Sequence, residues 1–444
     1  MAESAAGTAQ LATGAVSSSA ATRPDSPRDT GGKPNPKKPK KQMDAQAGGG
    51  ISHVHMEPSV LVVGSINVDL YQKLSSAAEV TISGKRIGMS SVKGMTLPAS
   101  SFVAQPAVAE QLKAHGLESE AGSAEALVLQ LEGPFEQKTG GKGANAAAAA
   151  GQTFRCELVC NFGRESEASN KALLADLKEF GNVNTSRSQT VDGPTGTAYI
   201  LLFEDFDNAI LLLGGANQAW APEPLHAGLQ VAISECVAVM LQREVPEHVN
   251  REVANAARKC GKPVIMDVGG TDAPVDVELL PHITMIAPNE TELTFISGVA
   301  TSVAGRPSLS LVRQAVSSLK ARFSAAGNSD VEVLVTLGGM GAVHFASAWA
   351  CGSDTAHETR VGTFPLGTPD GKPKDTTGAG DCFRGSFIAA LYGRGNSVAA
   401  ALTWAAAAAS LSVEVEGAMP SMPTEKAIEA RLLATPMKQF DEVA

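Results

Sequence analysis

Short apolar runs alternate with longer amphipathic segments over most of this chain, from about residue 57 onward. The first run, Val60–Val63, is β-branched and predicts a strand buried on both faces, as in a parallel sheet. Segments with helical spacing follow, such as Leu311–Arg322. Two apolar runs, Thr197–Phe203 and Ala209–Leu213, flank a polar turn and predict a hairpin. The alternation predicts an α/β fold with a doubly wound, mostly parallel sheet flanked by helices.

The same pattern predicts further elements along the chain. The strands are Leu158–Phe162, Val237–Leu241, Val264–Asp267, Met285–Ala287 and Val331–Leu337, and the helices are Ser166–Phe180, Pro246–Lys259, Ala399–Leu411 and Glu425–Leu433. The span 71–137 mixes β-like and helical pieces and predicts no clear order of elements.

Residues 1–56 lack hydrophobic periodicity and are rich in Ala, Ser, Thr, Gly and Pro, which predicts a disordered tail. The tail carries seven basic and four acidic residues, so the remainder of this chain of net charge −10 carries −13. That remainder is expected to have no general affinity for nucleic acid. The cluster Lys37–Lys41 is typical of a nuclear-import signal or an RNA contact, although a solvated tail with neither role explains it more simply.

Composition narrows the setting of the folded part. A hydrophobic content of 43% in 444 residues is enough for a sizeable core, in one large domain or two ordinary ones. Six scattered cysteines and no secretory signal favour reduced thiols, hence a cytoplasmic protein, with a nuclear location left open by the tail. No apolar run reaches the roughly 18–20 residues of a membrane span, so no membrane partner is expected.

A glycine-rich stretch near the end of the chain is the strongest candidate for chemistry. Gly378, Ala379 and Gly380 precede Asp381 at the start of an apolar, helix-like run. The free N–H groups of such a helix start attract an anion. A carboxylate beside a phosphate is explained if it accepts a proton during phosphoryl transfer. Alternatively, Asp375 and Thr376 cap the helix and Asp381 only adds charge to its first turn.

Two earlier stretches predict a ligand site with hydroxyl groups. Asn67 and Asp69 follow the first strand and point to the same side of an extended segment, where they suit the vicinal hydroxyls of a sugar. In the stretch from Gly140 to Asn145, Lys142 and Asn145 are hydrogen-bond donors at a second glycine-rich helix start. An Asx-rich turn and a plain tight turn are the structural alternatives.

Seven stretches in order resemble the PfkB superfamily of carbohydrate kinases, and within it the ribokinase family. They are Gly64–Asp69, Gly140–Asn145, Gln242–Glu244, Pro288–Glu292, Thr336–Gly341, Asp375–Asp381 and Gly417–Ser421, and they span about residues 59–433. The resemblance implies a ribokinase-like kinase domain over residues 57–436. It also implies a small β-sheet lid from segments 70–139 and 196–214, the first of which is several dozen residues longer than usual. The N-terminal tail lies outside the resemblance.

The resemblance implies ATP-dependent phosphorylation of the 5-hydroxyl of D-ribose, to give D-ribose 5-phosphate and ADP, with Asp381 as the base. Gly378, Ala379 and Gly380 would then form the anion hole for the transferred group. The implied pentose contacts are Asn67, Asp69, Gly141, Lys142, Gly143, Asn145, Glu244 and Asp381. A kinase for another small sugar or a nucleoside is the main alternative, and a catalytically silent sugar-binding regulator is a more distant one.

The resemblance also implies the cofactors and a partner. The ATP positions are Asn289, Thr336, Leu337, Gly338, Gly339, Met340, Gly341, Gly380, Asp381 and Ala406, the last an unusual residue for its place. Glu292 would hold Mg²⁺ through water. The ligands of an activating monovalent cation, usually K⁺, would be Asp375, Thr377, Ser412, Val415, Gly417 and Ser421. The resemblance further implies a homodimer formed through the lid.

Overall fold

The computed structural model describes residues 57–440 except 76, 94, 118–126, 129–130, 205–207, 223, 272 and 353–356. The predicted tail, residues 1–56, therefore lies outside the described residues. In chain order, the described strands are β1 Val60–Val63, β2 Asn67–Lys73, β3 Glu79–Ile82, β4 Lys85–Gly88, β5 Thr96–Pro98, β6 Leu131–Glu132, β7 Glu136–Gly140, β8 Cys156–Val159, β9 Asn161–Gly163, β10 Val183–Asn184, β11 Gln189–Val191, β12 Gly196–Leu202, β13 Asn208–Leu213, β14 Ala238–Leu241, β15 Val264–Met266, β16 Met285–Ile286, β17 Ser302–Val303, β18 Arg306–Pro307, β19 Glu332–Thr336, β20 Ala342–Phe345 and β21 Glu358–Val361.

The helices of the described residues lie between these strands. They are α1 Ala99–Val103, α2 Pro106–Ala114, α3 Lys142–Thr153, α4 Glu167–Gly181, α5 Ala227–Glu235, α6 Glu247–Lys259, α7 Glu290–Ser297, α8 Leu309–Ala325, α9 Ala379–Ile388, α10 Val398–Ser412 and α11 Glu425–Ala434. A π-helical turn, Ala389–Gly393, continues α9. Each of these helices is too short or too polar to span a membrane.

The predicted doubly wound sheet is confirmed. Its described strands have the order β10-β8-β1-β14-β15-β16-β19-β20-β21, and their pairings are parallel except for β19 with β20 and β20 with β21. Alternate residues of β1 face opposite layers: Val60 and Val62 pack with α3, α9 and α10, while Leu61 and Val63 pack with α5, α6 and α8. Burial on both faces explains why the central strands have continuous apolar runs.

Two details differ from the sequence prediction. The predicted strand over Leu158–Phe162 is two strands, because Cys160 leaves the main sheet and its N–H bonds to the Ser188 hydroxyl, 3.1 Å away. The antiparallel strands β20 and β21, which the sequence pattern did not predict, extend the sheet at one edge.

A second sheet lies beside the carboxyl ends of the parallel strands, and we call it the lid sheet. Its order is β5-β13-β12-β2-β7. The predicted hairpin is confirmed as β12 and β13, which pair antiparallel from Thr197↔Leu213 to Leu202↔Asn208. Because β2 follows β1 after three residues, Asn67 and Asp69 are held where the two sheets meet.

We call residues 74–135, between β2 and β7, the insertion. Apart from β5, which belongs to the lid sheet, the described residues of the insertion form an apolar layer over that sheet. Strands β3, β4 and β6 of the insertion make a small antiparallel sheet. Its buried side chains, with those of α1 and α2, pack against one face of β12 and β13. That face presents Tyr199, Leu201, Leu211 and Leu213. The alternate residues Ala198, Ile200, Ile210 and Leu212 face the other side and line a cleft. Both faces of the hairpin are therefore apolar: the insertion covers one, and the other lines the cleft.

Candidate active site

A cleft of about 490 Å³ lies between the lid sheet and the carboxyl ends of the parallel strands. This is where open α/β sheets bind ligands. Most of the predicted acceptor and catalytic residues line it: Asn67, Asp69, Gly141, Lys142, Asn145, Glu244, Gly378 and Asp381. Two of the predicted metal residues, Glu292 and Thr377, line it as well, whereas Gly143, Ala379 and Gly380 are not among its lining residues. Residues that lie more than 300 positions apart in the sequence are thus brought to one site.

The start of α9 forms the floor of the cleft. Gly378 precedes the helix with φ +74°, a conformation that disfavours side chains, and its O accepts the Cys382 N–H at 2.8 Å. The N–H groups of the first turn have no partners within the helix. That of Ala379 donates to the O of Thr376 at 3.2 Å, and those of Gly380 and Asp381 are available to an anion. Asp381 in this turn is 5% exposed. Its Oδ1 accepts from Lys142 Nζ at 3.0 Å and its Oδ2 from Asn145 Nδ2 at 3.1 Å, so two residues predicted as pentose contacts bond to the predicted base.

Lys142 is shared between two carboxylates. Its Nζ lies 3.0 Å from Asp381 and 3.1 Å from Asp267 at the end of β15. Burial lowers the pKa of the ammonium, but Asp267 and Asp381 raise it more, so it stays above its ordinary value. Burial raises the pKa of Asp267, but Arg384 and Lys142 together hold it below the ordinary value. The Lys142 ammonium and the Asp267 carboxylate therefore both keep their charges.

The acceptor side of the cleft contains unsatisfied polar atoms. Asp69 is 5% exposed, and its Oδ1 has no hydrogen-bond partner among the described residues; the same holds for Asn145 Oδ1. Burial, followed by the charges of Glu244 and Asp381, raises the pKa of Asp69 well above its ordinary value. Buried polar atoms are rarely left unpaired, so these two oxygens indicate a ligand that donates hydrogen bonds here.

The glycine turn before α3 lies tightly against the end of β1. Gly141 has φ +91°, and a Cβ there would lie 3.0 Å from Asn67 N. Glu244 Oε2 accepts from the Ser65 hydroxyl at 2.5 Å and from Lys142 N at 2.9 Å, and the Gly143 N–H donates to Ser65 Oγ at 3.2 Å. Burial raises the pKa of Glu244 more than Lys142 lowers it. Glu244 therefore fixes the turn as well as lining the cleft.

The predicted ATP positions lie along the ends of β16 and β19. Asn289 and Glu292 form a capping box at the start of α7: Asn289 Oδ1 accepts the Glu292 N–H and Glu292 Oε2 accepts the Asn289 N–H, each at 2.8 Å. Thr336 ends β19 and bridges to Asn289, after which Gly338–Met340 form a 3₁₀ turn. Leu337 N–H closes this turn on the O of Gly341 at 2.8 Å. Gly339 has open space at its Cα, and Ala406 lies buried within α10.

The predicted cation residues surround the loop after α10. Asp375 Oδ1 accepts the Thr377 N–H and its Oδ2 the Gly417 N–H, each at 2.8 Å, which joins the two loops. The Ser412 and Ser421 hydroxyls donate to backbone carbonyls, and Val415 is 44% exposed. No cluster of three His, Cys, Asp or Glu side chains suited to a metal occurs in the part of the chain that the structure describes. A cation at this loop would therefore depend on carbonyl oxygens.

Three residues that sequence reasoning missed position the others. Asn217 Nδ2 donates to Asn67 Oδ1 at 2.7 Å and fixes that amide. Arg384, 2% exposed, donates to the O of Ala287 at 2.7 Å and contacts Asp267 at 3.4 Å and Glu292 at 3.2 Å. Asp267 directly follows β15, and that position at the carboxyl end of a strand was the available signal. Nothing comparable in the sequence marks Asn217.

Comparison with known proteins assigns the chain to a family. Residues 118–425 match the pfkB family of carbohydrate kinases. The chain belongs to that family.

Its relatives include ribokinases, which the chain matches over most of their length. A ribokinase of Arabidopsis thaliana is 37% identical over 292 residues, 65% of this chain and 70% of the relative. A ribokinase of Bacillus subtilis is 30% identical over 299 residues, 67% of this chain and 89% of the relative. A solved structure of Arabidopsis thaliana ribokinase complexed with ribose and ATP superposes with a TM-score of 0.63 at 30% identity, covering 85% of this chain and 99% of that one. The predicted ribokinase-like fold and the kinase family are thereby confirmed.

Proposed function

We propose that this pfkB kinase transfers the γ-phosphoryl group of ATP to the 5-hydroxyl of D-ribose, giving D-ribose 5-phosphate and ADP. The observation that carries the proposal is the shared cleft of Asp69 and Asp381. Asp69 has an unpartnered oxygen for a sugar hydroxyl, and Asp381 lies in the first turn of α9, where an anion is stabilised. The ribose and ATP of the Arabidopsis complex support the same substrates for this chain.

In this proposal Asp381 is the base and the start of α9 is the anion hole. Asp381 would accept the proton of the 5-hydroxyl while the turn of Gly378, Ala379 and Gly380 stabilises the charge of the transferred group. Phosphoryl transfer asks the protein mainly for alignment and charge stabilisation. Lys142 and Asn145 hold the Asp381 carboxylate in place through the bonds described above.

Asn67, Asp69, Gly141, Gly143 and Glu244 would complete the ribose site. The carboxylate of Asp69 and the amide of Asn67 face the cleft from the same side of β2, as two adjacent hydroxyls require. The alternative acceptors are other small sugars or nucleosides. A silent regulator is disfavoured because the base and the anion hole are both present in one cleft.

ATP would occupy the region from Asn289 to the turn Gly338–Gly341, with Ala406 beside its base. Mg²⁺ would supply charge neutralisation at the phosphates. Glu292 suits it, because one carboxylate with water is a common Mg²⁺ arrangement and Glu292 lines the cleft. K⁺ would be held by the loop of Asp375, Thr377, Ser412, Val415, Gly417 and Ser421, whose carbonyl oxygens suit a weakly hydrated cation.

Homodimer formation through the lid stays a prediction, as does a cytoplasmic or nuclear location. The insertion covers the face of β12 and β13 that lies away from the cleft. A partner would therefore have to meet the edges of the lid sheet or the insertion itself.

The test is an ADP-release assay on the purified chain with D-ribose, ATP, Mg²⁺ and K⁺. We expect turnover that depends on ribose and on Mg²⁺ and that rises when K⁺ replaces a larger organic cation. A panel of pentoses, hexoses and nucleosides under the same conditions identifies the preferred acceptor. A folded protein that binds ATP and turns over no acceptor would contradict the proposal.

A further inference from the structure

The insertion contributes a strand to the lid sheet. Strand β5 pairs in parallel with β13, with Ile210↔Thr96, Leu211↔Leu97 and Leu212↔Pro98 in register. The Ile210 N–H also donates to the O of Met95 at 2.8 Å. The pairing makes β5 one edge of the sheet, while β7 is the other.

One row of side chains crosses the lid sheet on its cleft side. The register pairs Asp69 with Ala198, Ala198 with Leu212 and Leu212 with Pro98, and all four residues line the cleft. Neighbouring strands are about 4.8 Å apart, so the row extends roughly 14 Å from Asp69 to Pro98. Ser101, in the first turn of α1, also lines the cleft near Pro98.

The two ends of this row differ in character. The charged and amide groups, including Asp381 with its partners Lys142 and Asn145, lie at the β2–β7 edge. The opposite edge is apolar apart from Ser101. An acceptor whose reacting hydroxyl meets Asp381 would therefore direct its other end toward the insertion.

Buried neighbours fix the position of this wall. Ala99 and Phe102 flank Ser101 on α1 and are 2% and 0% exposed. Both belong to the apolar cluster between the insertion and the lid sheet. Packing on the outer side thus holds Pro98 and Ser101 at the cleft side, and no second chain is needed to place them.

We propose that Pro98 and Ser101 of the insertion form the far wall of the acceptor site and help to determine which acceptors it takes. The proposal rests on the proposed kinase function of the cleft. The Ser101 hydroxyl forms a hydrogen bond with the acceptor molecule, at the end of that molecule that is remote from the transferred phosphoryl group. Pro98 limits the length of the site. The insertion is therefore part of the catalytic unit as well as a cover for the lid sheet.

The test compares two tryptophan substitutions on adjacent residues. Ser101 lines the cleft, while Ser100 on the same helix is exposed and does not. We expect Ser101→Trp to raise the KM for D-ribose at least fivefold with the KM for ATP within twofold of the wild type. Ser100→Trp should leave both within twofold. Calorimetric titration with ribose should show the same loss of affinity without turnover.

Ser101→Ala guards against misfolding of the larger variant. For an acceptor long enough to bond to the Ser101 hydroxyl, loss of that hydrogen bond is expected to raise the KM by about 2–10-fold. Equal KM values for ribose in Ser101→Trp and Ser100→Trp would show that Ser101 is not part of the acceptor site, provided that both variants unfold at the temperature of the wild type. A wild type that phosphorylates a different acceptor would instead contradict the proposed function, and the same comparison would then be made with that acceptor.

Discussion

The cleft has two walls of different construction. One is the start of α9, where Gly378, Ala379, Gly380 and Asp381 are consecutive in the chain and act mainly through backbone N–H groups and one carboxylate. The other is the lid sheet with the insertion, whose cleft side comes from β2, β5, β12 and β13. The first wall is local and charged, and the second is assembled from distant, mostly apolar segments.

The difference determines how each wall is stabilised. Around α9, buried charges pair with each other: Arg384 and Lys142 flank Asp267, and Lys142 also reaches Asp381. The pKa values of Lys142, Asp267 and Arg384 depend on one another's charges, so changing one of the three affects the other two. On the outer face of the lid sheet, by contrast, Tyr199, Leu201, Leu211 and Leu213 pack against apolar side chains of the insertion.

The wall with Asp381 should respond to mutation through rate. Asp381→Asn should lower kcat by about 10²–10⁴-fold, the usual contribution of a general base, because the amide no longer accepts the proton. Binding of ribose should be retained, since Asp69 and Asn67 are unchanged. Steady-state kinetics and calorimetric titration measure the two effects. Retained turnover would show that Asp381 is not the base.

The lid wall should respond through stability. Leu211→Ala removes a fully buried side chain between the lid sheet and the insertion. We expect a loss of about 2–5 kcal/mol in the unfolding of this region, as for other large-to-small changes in a core. Hydrogen exchange of the β12 and β13 amides measures it.

The adjacent residue provides the matched control. Leu212 is half-buried and faces the cleft. In Leu212→Ala, the same amides should therefore be protected from hydrogen exchange nearly as well as in the wild type. Its effect should appear in the KM for the acceptor. Equal loss of protection in the two variants would contradict the assignment of separate faces to the lid sheet.

The smallest expected effect is a pH dependence of the KM for ribose, which involves carboxyl groups of both walls. Burial, Glu244 and Asp381 raise the pKa of Asp69. In the sugar-free protein, the stability due to its neutral form is fully present below the ordinary carboxyl pKa of about 4 and is lost as pH rises through the raised pKa. A sugar that donates to the carboxylate favours the ionised form, so the KM for ribose should fall about tenfold as pH rises through that range.

The profile is measured from kcat and KM between pH 5 and pH 9, a range chosen as roughly that in which most side-chain carboxyls are ionised. Glu244 also has a raised pKa and faces the same cleft, with Lys142 and Asp381 beside it. Asp69→Asn separates the two carboxyls: the pH dependence of KM should disappear in this variant. Its persistence would assign the titration to Glu244.

Local sequence was sufficient for the site's motifs and for most of the elements. The runs Val60–Val63 and Thr197–Phe203 became strands, and the glycine-rich stretches before Lys142 and Ala379 became helix starts. Such signals work because a strand buried on both faces needs a continuous apolar run and a helix start leaves N–H groups free. The resemblance to ribokinases then predicted that these motifs form one site.

The partners of those motifs could not be read in the same way. Asn217, Asp267 and Arg384 contact the site only because the fold brings β15, α9 and the turn after β13 to one edge. Each is an ordinary polar residue in its local sequence. Their roles depend on contacts between residues 92 to 150 positions apart.

The sequence by itself thus determined the sheet, the glycine-rich helix starts and the family of carbohydrate kinases, since each depends on residues close together in the chain. Only the tertiary structure showed that the insertion buries the outer face of β12 and β13 and that Pro98 and Ser101 reach the cleft. The apolar alternation of the hairpin shows that both faces must be covered, but it does not name the cover. That choice depends on which distant segments pack best together, which no local pattern records.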